Sequence, residues 1–132
     1  MRIRIVTVYV TDQDKARAFY TEKLGFELRD DAPYGPDFRR LTVVSPEDEA
    51  TELYLAHENR YPGAKTYREA MHAGGVPVLA FSTDDIDTLH RRLTANGVTF
   101  ASEPAEQEYG GLGADFDGGC GNLLNLHQET SA

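Results

Sequence analysis

The chain has no tryptophan and a single cysteine, Cys120. One thiol excludes an intrachain disulfide and any cysteine-based zinc cluster. No apolar run approaches the ~20 residues that span a bilayer. The opening stretch, MRIRIVTVYV, enters an alternating pattern directly, without the apolar segment and small-residue cleavage site of a signal peptide. A cytoplasmic location is the expectation that follows. Basic residues are scarce: 13 Lys and Arg against 22 Asp and Glu give a net charge of −9. Nucleic acid and anionic membranes need a cationic footprint, so neither is an expected partner. The charge is compatible with a cationic small ligand, but solubility is the commoner reason for an acidic surface. With 132 residues, 40% of them hydrophobic, the chain fits one compact domain.

The pattern along the chain is β-α-β-β-β, given twice. Arg2 to Val10 reads as a strand, with Val6, Val8 and Val10 on one face and Ile5, Thr7 and Tyr9 on the other. TDQDKARAFYTEKLG reads as a helix, with a capping box at Thr11 and Asp14 and a stop at Gly25. FELRD, FRRLTVVS and TELYLAHE read as strands, with Ala32 to Asp37 a loop and PEDEA a charged turn. AKTYREAMHA reads as a connecting helix. VPVLAFS then reads as a strand and TDDIDTLHRRLTANG as a helix, with Ser82 and Asp85 as its capping box. VTF, a segment from Tyr109 to Phe116, and GNLLNLHQ close the set as strands, and the tail after Gln128 is expected to fray. VYVTDQDKARAFYTEKLGF lies on AFSTDDIDTLHRRLTANGV without a gap, placing Asp12 over Asp84 and Gly25 over Gly97. A repeated supersecondary unit is a strong organisational signal. The expectation is one domain: a first module over 1–62, a connecting helix over 63–75 and a second module over 76–128. Each module leaves the sheet face away from its helix open.

The stretch TDQDKARAFYTEKLGFEL, the second turn FSTDDID and the closing DGGCGNLLNL resemble the vicinal oxygen chelate superfamily. That group includes glyoxalase I, extradiol dioxygenases, fosfomycin resistance enzymes and bleomycin resistance proteins. The resemblance covers roughly residues 3 to 128. The closing turn usually reads Asp-Pro-Asp-Gly-Asn. Here it is DFDGGCGN, with Phe116 in place of the proline and three residues between Gly118 and Asn122. The resemblance implies an α+β fold of two tandem βαβββ modules forming a curved mixed sheet around a cup, and a homodimer.

Metal-dependent members of that group hold a divalent ion with His, Glu, His and Glu, one from each of four strands. Carried over by position, the slots fall at Ile5, Tyr54, Val78 and Asn125. Ile and Val have no donor atoms, a tyrosine is a poor ligand unless ionised, and Asn125 offers one neutral carbonyl oxygen. A register slip reverses every side chain, yet Arg4, Val6, Leu53, Leu55, Pro77, Leu79, Leu124 and Leu126 contain no good ligand either. No metal or other cofactor is therefore expected.

Other residues carry two readings. His72 and His90 lie on predicted helices and read as surface positions; His57 points with Leu53 and Leu55, whereas His127 shares the face of Asn125 and is a candidate ligand contact. Cys120, between glycines and near Asp115 and Asp117, reads as an inert thiol. Tyr9, Tyr54 and Tyr109 line the cup or simply pack. Arg40 clamps an anionic group or sits at an exposed edge. GGLG lacks the lysine and the strand-to-helix step of a phosphate loop, and reads as a place where a strand bends near the cup mouth.

The expected ligand-binding set is thus Ile5, Thr7, Tyr9, Arg40, Tyr54, Val78, Tyr109, Asn125 and His127. The first functional reading is a metal-free protein that binds a small organic molecule in its cup. The alternative is a metal-dependent lyase or dioxygenase of the glyoxalase type. A third is an accessory module whose cup is filled by its own side chains.

Overall fold

A computed structural model of the chain describes residues 1–130. The first half forms β1 (Ile5–Val10), α1 (Gln13–Ala18), β2 (Glu27–Pro33), β3 (Arg39–Ser45) and β4 (Asp48–His57). After α2 (Ala64–Ala73) come β5 (Ala80–Ser82), α3 (Ile86–Ala95), β6 (Ala105–Glu106), β7 (Leu112–Asp117) and β8 (Leu123–Gln128). The strands make two four-stranded sheets, ordered β1-β4-β3-β2 and β5-β8-β7-β6. Both orders are the same topology, and in both the first strand runs parallel to the last while the other pairs are antiparallel. The α+β architecture of two similar βαβββ modules is therefore present as two separate, unclosed sheets.

Asp12 and Asp85 start the module helices. Asp12 Oδ1 accepts from the Lys15 amide at 3.0 Å, and Asp85 Oδ1 accepts from the Thr88 amide at 3.1 Å. The expected capping boxes at Thr11/Asp14 and Ser82/Asp85 give way to these single aspartates, because each has a non-helical backbone and its side chain reaches a free N–H three residues on. Gly25 and Gly97 end the two helical segments with φ of 80° and 92°. Cap to glycine takes thirteen residues from Asp12 but twelve from Asp85. The extra residue is absorbed by a π-helical turn over Phe19–Lys23, which closes with the Leu24 amide on the Phe19 carbonyl at 3.1 Å. The gapless overlay of the halves is one residue off at the caps for this reason.

The turn sets Phe19 and Tyr20 side by side in the core. Val8, Val10, Leu41, Val43, Leu53 and Leu55 of the first sheet and Phe116, Leu124 and Leu126 of the second join Ile86 and Leu93 of α3 in one cluster. Aromatic edges link the modules: Tyr20 meets Phe26 at 5.9 Å, Phe26 meets Phe81 at 5.5 Å, and Phe81 stacks on Phe116 at 6.4 Å between ring centres. The glycine-rich turn between β7 and β8 joins them again. Its Asn122 Nδ2 donates to the Tyr9 carbonyl at 2.7 Å, and its Cys120 carbonyl accepts from the Thr11 amide at 3.3 Å.

Several elements differ from the sequence reading. β4 begins at Asp48, so much of the expected PEDEA turn is strand, and β2 runs on to Pro33 past an irregularity between Leu28 and Asp30. VPVLAFS yields only Ala80–Ser82 as strand, although the Val78 amide still donates to the Leu123 carbonyl at 3.0 Å and the Leu79 carbonyl accepts from the Asn125 amide at 2.9 Å. VTF contributes an isolated bridge, Phe100 to Phe116, rather than a strand. The expected fraying after Gln128 falls partly on residues 131 and 132, which lie outside the described residues.

Candidate functional site

Strand alternation divides each sheet into a face packed on the shared core and an open face. On the first sheet Leu53 and Leu55 are core residues, so Glu52 and Tyr54, which alternate with them, take the other side. The pairing Thr7↔Tyr54↔Thr42 and the positions of Tyr9 and Arg40 two residues on put Ile5, Thr7, Tyr9, Arg40, Thr42, Glu52 and Tyr54 on that face. On the second sheet Leu124, Leu126 and Phe116 are core, leaving Asp115, Asn125 and His127 open, with Val78 and Ala80 beside them.

The nine residues expected to touch a ligand thus fall into two groups. Ile5, Thr7, Tyr9, Arg40 and Tyr54 belong to the first sheet, and Asn125 and His127 to the second, with Val78 just before β5 and Tyr109 on the loop before β7. A cavity of about 460 Å³ lies on the second sheet, lined by Pro77, Val78, Ala80, Gln107, Tyr109, Asp115 and Asn125 among others, all of them from the second half of the chain.

Asn125 is 8% exposed, and its amide donates to Asp115 Oδ1 at 2.9 Å. The amide oxygen of Asn125 and the second carboxylate oxygen of Asp115 remain as acceptors. Tyr109 is 72% exposed, and its ring lies 5.4 Å from that of His127. His127 Nε2 meets Glu129 Oε1 at 3.1 Å, while its Nδ1 is buried with no hydrogen-bond partner. Gly110 and Gly111 let the loop turn here: both have positive φ, and a Cβ on Gly111 would stand 2.4 Å from the Gln128 carbonyl oxygen and 2.6 Å from the His127 ring. Close approach of backbone to imidazole requires the glycine.

On the first sheet the Tyr54 and Tyr61 hydroxyls are 3.4 Å apart. Burial, then the Tyr61 hydroxyl, pushes the Tyr54 phenol above its ordinary range, so it stays protonated. The Arg40 guanidinium lies 5.6 Å over the Tyr54 ring, and that of Arg60 lies 4.7 Å from Tyr34 and 4.8 Å from Tyr61. Tyr34, Arg60 and Tyr61 escaped sequence reasoning because they sit in loops whose path no periodicity fixes. Glu52 was also passed over, although it shares the parity of Tyr54. It accepts from Thr42 Oγ1 at 3.1 Å and lies 3.9 Å from Arg4.

The residues do not fit a divalent ion at the four strand positions. Ile5 and Val78 bring no lone pairs, Tyr54 is held as a neutral phenol, and Asn125 offers one neutral amide oxygen. Among the described residues no group of three or more His, Cys, Asp or Glu side chains comes together at metal-binding distance.

One other expectation changes. His90 is not a surface residue: its side chain is 13% exposed and its ring meets Phe100 edge-on at 4.4 Å. Cys120 is buried, and its thiol is pushed up to about 11 by burial and then by the charge of Asp12, with Asp117 adding less. His57 packs on Phe38 at 5.4 Å and accepts from the Asn59 amide at 3.1 Å.

Comparison with known proteins adds to this geometry. The profile of the Glyoxalase/Bleomycin resistance protein/Dioxygenase superfamily matches residues 2–126. The chain is 40% identical to the uncharacterized protein YurT of Bacillus subtilis (strain 168), over 98% of this chain and all of that one. Its fold is similar to that of TnmS3, an antibiotic binding protein from Streptomyces sp. CB03234, with a TM-score of 0.78 and 31% identity over 98% of this chain and 97% of that one. It is similar too to a superfamily member from Sphaerobacter thermophilus DSM 20745, with a TM-score of 0.79 and 30% identity over 98% of each chain.

Proposed function

Because the chain belongs to the Glyoxalase/Bleomycin resistance protein/Dioxygenase superfamily, we propose that it acts as a metal-free binding protein that holds a small organic molecule against the open faces of its sheets. One observation carries the reading. The four positions to which the resemblance carries the metal donors, Ile5, Tyr54, Val78 and Asn125, hold two aliphatic side chains, a neutral phenol and a neutral amide, with aromatic rings and hydrogen-bonding groups beside them. Such a lining suits desolvation of a flat molecule with a few polar groups to orient it. The likeness to an antibiotic binding protein supports the same class of ligand. Mechanism is then sequestration: buried aromatic surface supplies affinity at ~25 cal/mol per Å² before ordering costs, and Asn125, Thr7 and Tyr54 fix orientation.

A homodimer belongs to this proposal. Each open face is half of a cup, and the cavity on the second sheet takes no residue from the first. A second copy that sets its first sheet over that cavity would enclose the ligand and join the two groups of candidate residues. A cytoplasmic location is likewise part of the reading; no described helix is long and apolar enough to cross a membrane.

Calorimetric titration of chelator-treated protein with polycyclic aromatic and glycopeptide-like compounds tests it. Saturable heat, weakened in Asn125→Leu, is expected. A complete absence of heat across the panel, or binding that appears only after metal is restored, would instead favour the lyase or dioxygenase alternative or a closed accessory module.

A further inference from the structure

We propose that Arg40, Arg60 and the tyrosines Tyr34, Tyr54 and Tyr61 form an anion-recognition site on the open face of the first sheet, selecting a flat aromatic ligand that carries a carboxylate or similarly delocalised negative charge. The inference rests on the small-molecule reading and names its ligand class.

Four separate segments converge here: the turn after β2 (Tyr34), β3 (Arg40), β4 (Tyr54) and the loop before α2 (Arg60 and Tyr61). Contacts run through all of them. Arg40 lies over Tyr54, the Tyr54 and Tyr61 rings meet edge-on at 6.5 Å, and the Arg60 guanidinium is placed within 5 Å of both Tyr61 and Tyr34. A guanidinium that stacks on a ring spends its face, not its edge. Its N–H groups lie in the plane and stay free to make the paired hydrogen bonds that a carboxylate accepts. Of the two tyrosine hydroxyls, 3.4 Å apart, one proton bridges the pair and the other is free to donate outward.

Burial and pairing of the arginines, taken together, sharpen the point. Arg4, Arg17, Arg39 and Arg68 each have a carboxylate within ion-pair distance. Among the described residues six arginines have none, and four of these, Arg2, Arg29, Arg91 and Arg92, are exposed, which leaves Arg40 and Arg60. Both are half-buried. The carboxylate nearest in register, Glu52, is held by Thr42 and Arg4, and Asp30, opposite Thr42, is exposed. Local charge at this end of the face is therefore positive and aromatic, against the net charge of −9. A ligand meets the local field once it is in contact, because dissolved salt at ~0.1 M screens charges beyond about 10 Å. The cationic ligand suggested by bulk composition is the wrong sign for this cluster.

The test uses three probes of one shape: 2-naphthoate, 2-naphthalenemethanol and 2-naphthylmethylammonium, each titrated calorimetrically into the intact protein at ~0.1 M salt. We expect the naphthoate to bind about tenfold tighter than the alcohol or better, with the ammonium weakest. Arg40→Met and Arg60→Met should each bring the naphthoate down toward the alcohol while leaving the alcohol within about twofold. Arg60→Lys should keep the charge preference in part, which covers the case in which Arg60→Met does not fold. If the arginines only staple the loop, the variants lower melting temperature and weaken all three probes alike, and the proposal is overturned. Equal binding of the three, or preference for the ammonium, overturns it while leaving the small-molecule reading in place. Failure of every probe to bind overturns both.

Discussion

Arg68 and Glu58 form the ion pair on which the linkage between modules turns. Their side chains are 10% and 11% exposed, and Arg68 Nε donates to Glu58 Oε2 at 2.5 Å. Arg68 also donates through Nη1 to the Gly121 carbonyl at 2.7 Å, while the Glu58 amide donates to the Val10 carbonyl at 2.9 Å. One side chain on α2 therefore ties the end of β4 to the glycine-rich turn of the second module. Removing only the arginine leaves a buried carboxylate and a buried carbonyl without partners, which costs ~3–5 kcal/mol. For a chain of this size that is roughly 10–20 °C of melting temperature. In Arg68→Met with Glu58→Met the charge penalty disappears and the orphaned Gly121 carbonyl remains, at ~1–3 kcal/mol. Urea unfolding followed by circular dichroism measures both. The double variant should be more stable than Arg68→Met alone, a negative coupling between the two positions. A loss below ~1 kcal/mol in Arg68→Met, or simple additivity of the two substitutions, would refute the assignment of a shared buried charge.

Three further outcomes follow from particular contacts. Gly111→Ala should destabilise by ~1–3 kcal/mol in the same unfolding assay, because its φ is 76° and the new Cβ would press on the Gln128 carbonyl and the His127 ring. Asp31 is held below the usual carboxylate range, chiefly by its hydrogen bond from Arg39 and also by Arg17. A depressed folded pKa gives stability that is present above the unfolded value near ~3.9 and is lost as pH falls through the folded one, so Asp31→Asn should lower stability at neutral pH and flatten its decline in acid. Cys120, with its thiol raised to about 11, should react with a thiol-labelling reagent at neutral pH only on the timescale of unfolding; rapid labelling of native protein would contradict its placement.

Sequence and structure agree where alternation decides the outcome. Val8 and Val10 enter the core while Thr7 and Tyr9 do not, which the period of a strand requires whatever the partners are. Glu52 obeys the same rule, two places from Tyr54 and on its face of the strand. The π-helical turn was not legible: inserting one residue into a helix leaves the apolar pattern nearly intact, and its effect shows in the offset between Asp12 and Asp85. His90 was misread because Phe100, which covers it, comes from a segment with almost no regular structure. Tyr34, Arg60 and Tyr61 are brought to Arg40 and Tyr54 by two loops, and loop paths depend on contacts that no local pattern encodes.

Elemental analysis of protein purified without chelator, followed by calorimetric titration with zinc, nickel, manganese and iron(II), tests the central claim most directly. A cup that recognises an organic guest through rings, amide and guanidinium should retain far less than one ion per chain and show no saturable metal binding. One tightly held ion per chain, displaced or weakened by Glu52→Gln or Asn125→Leu, would contradict it.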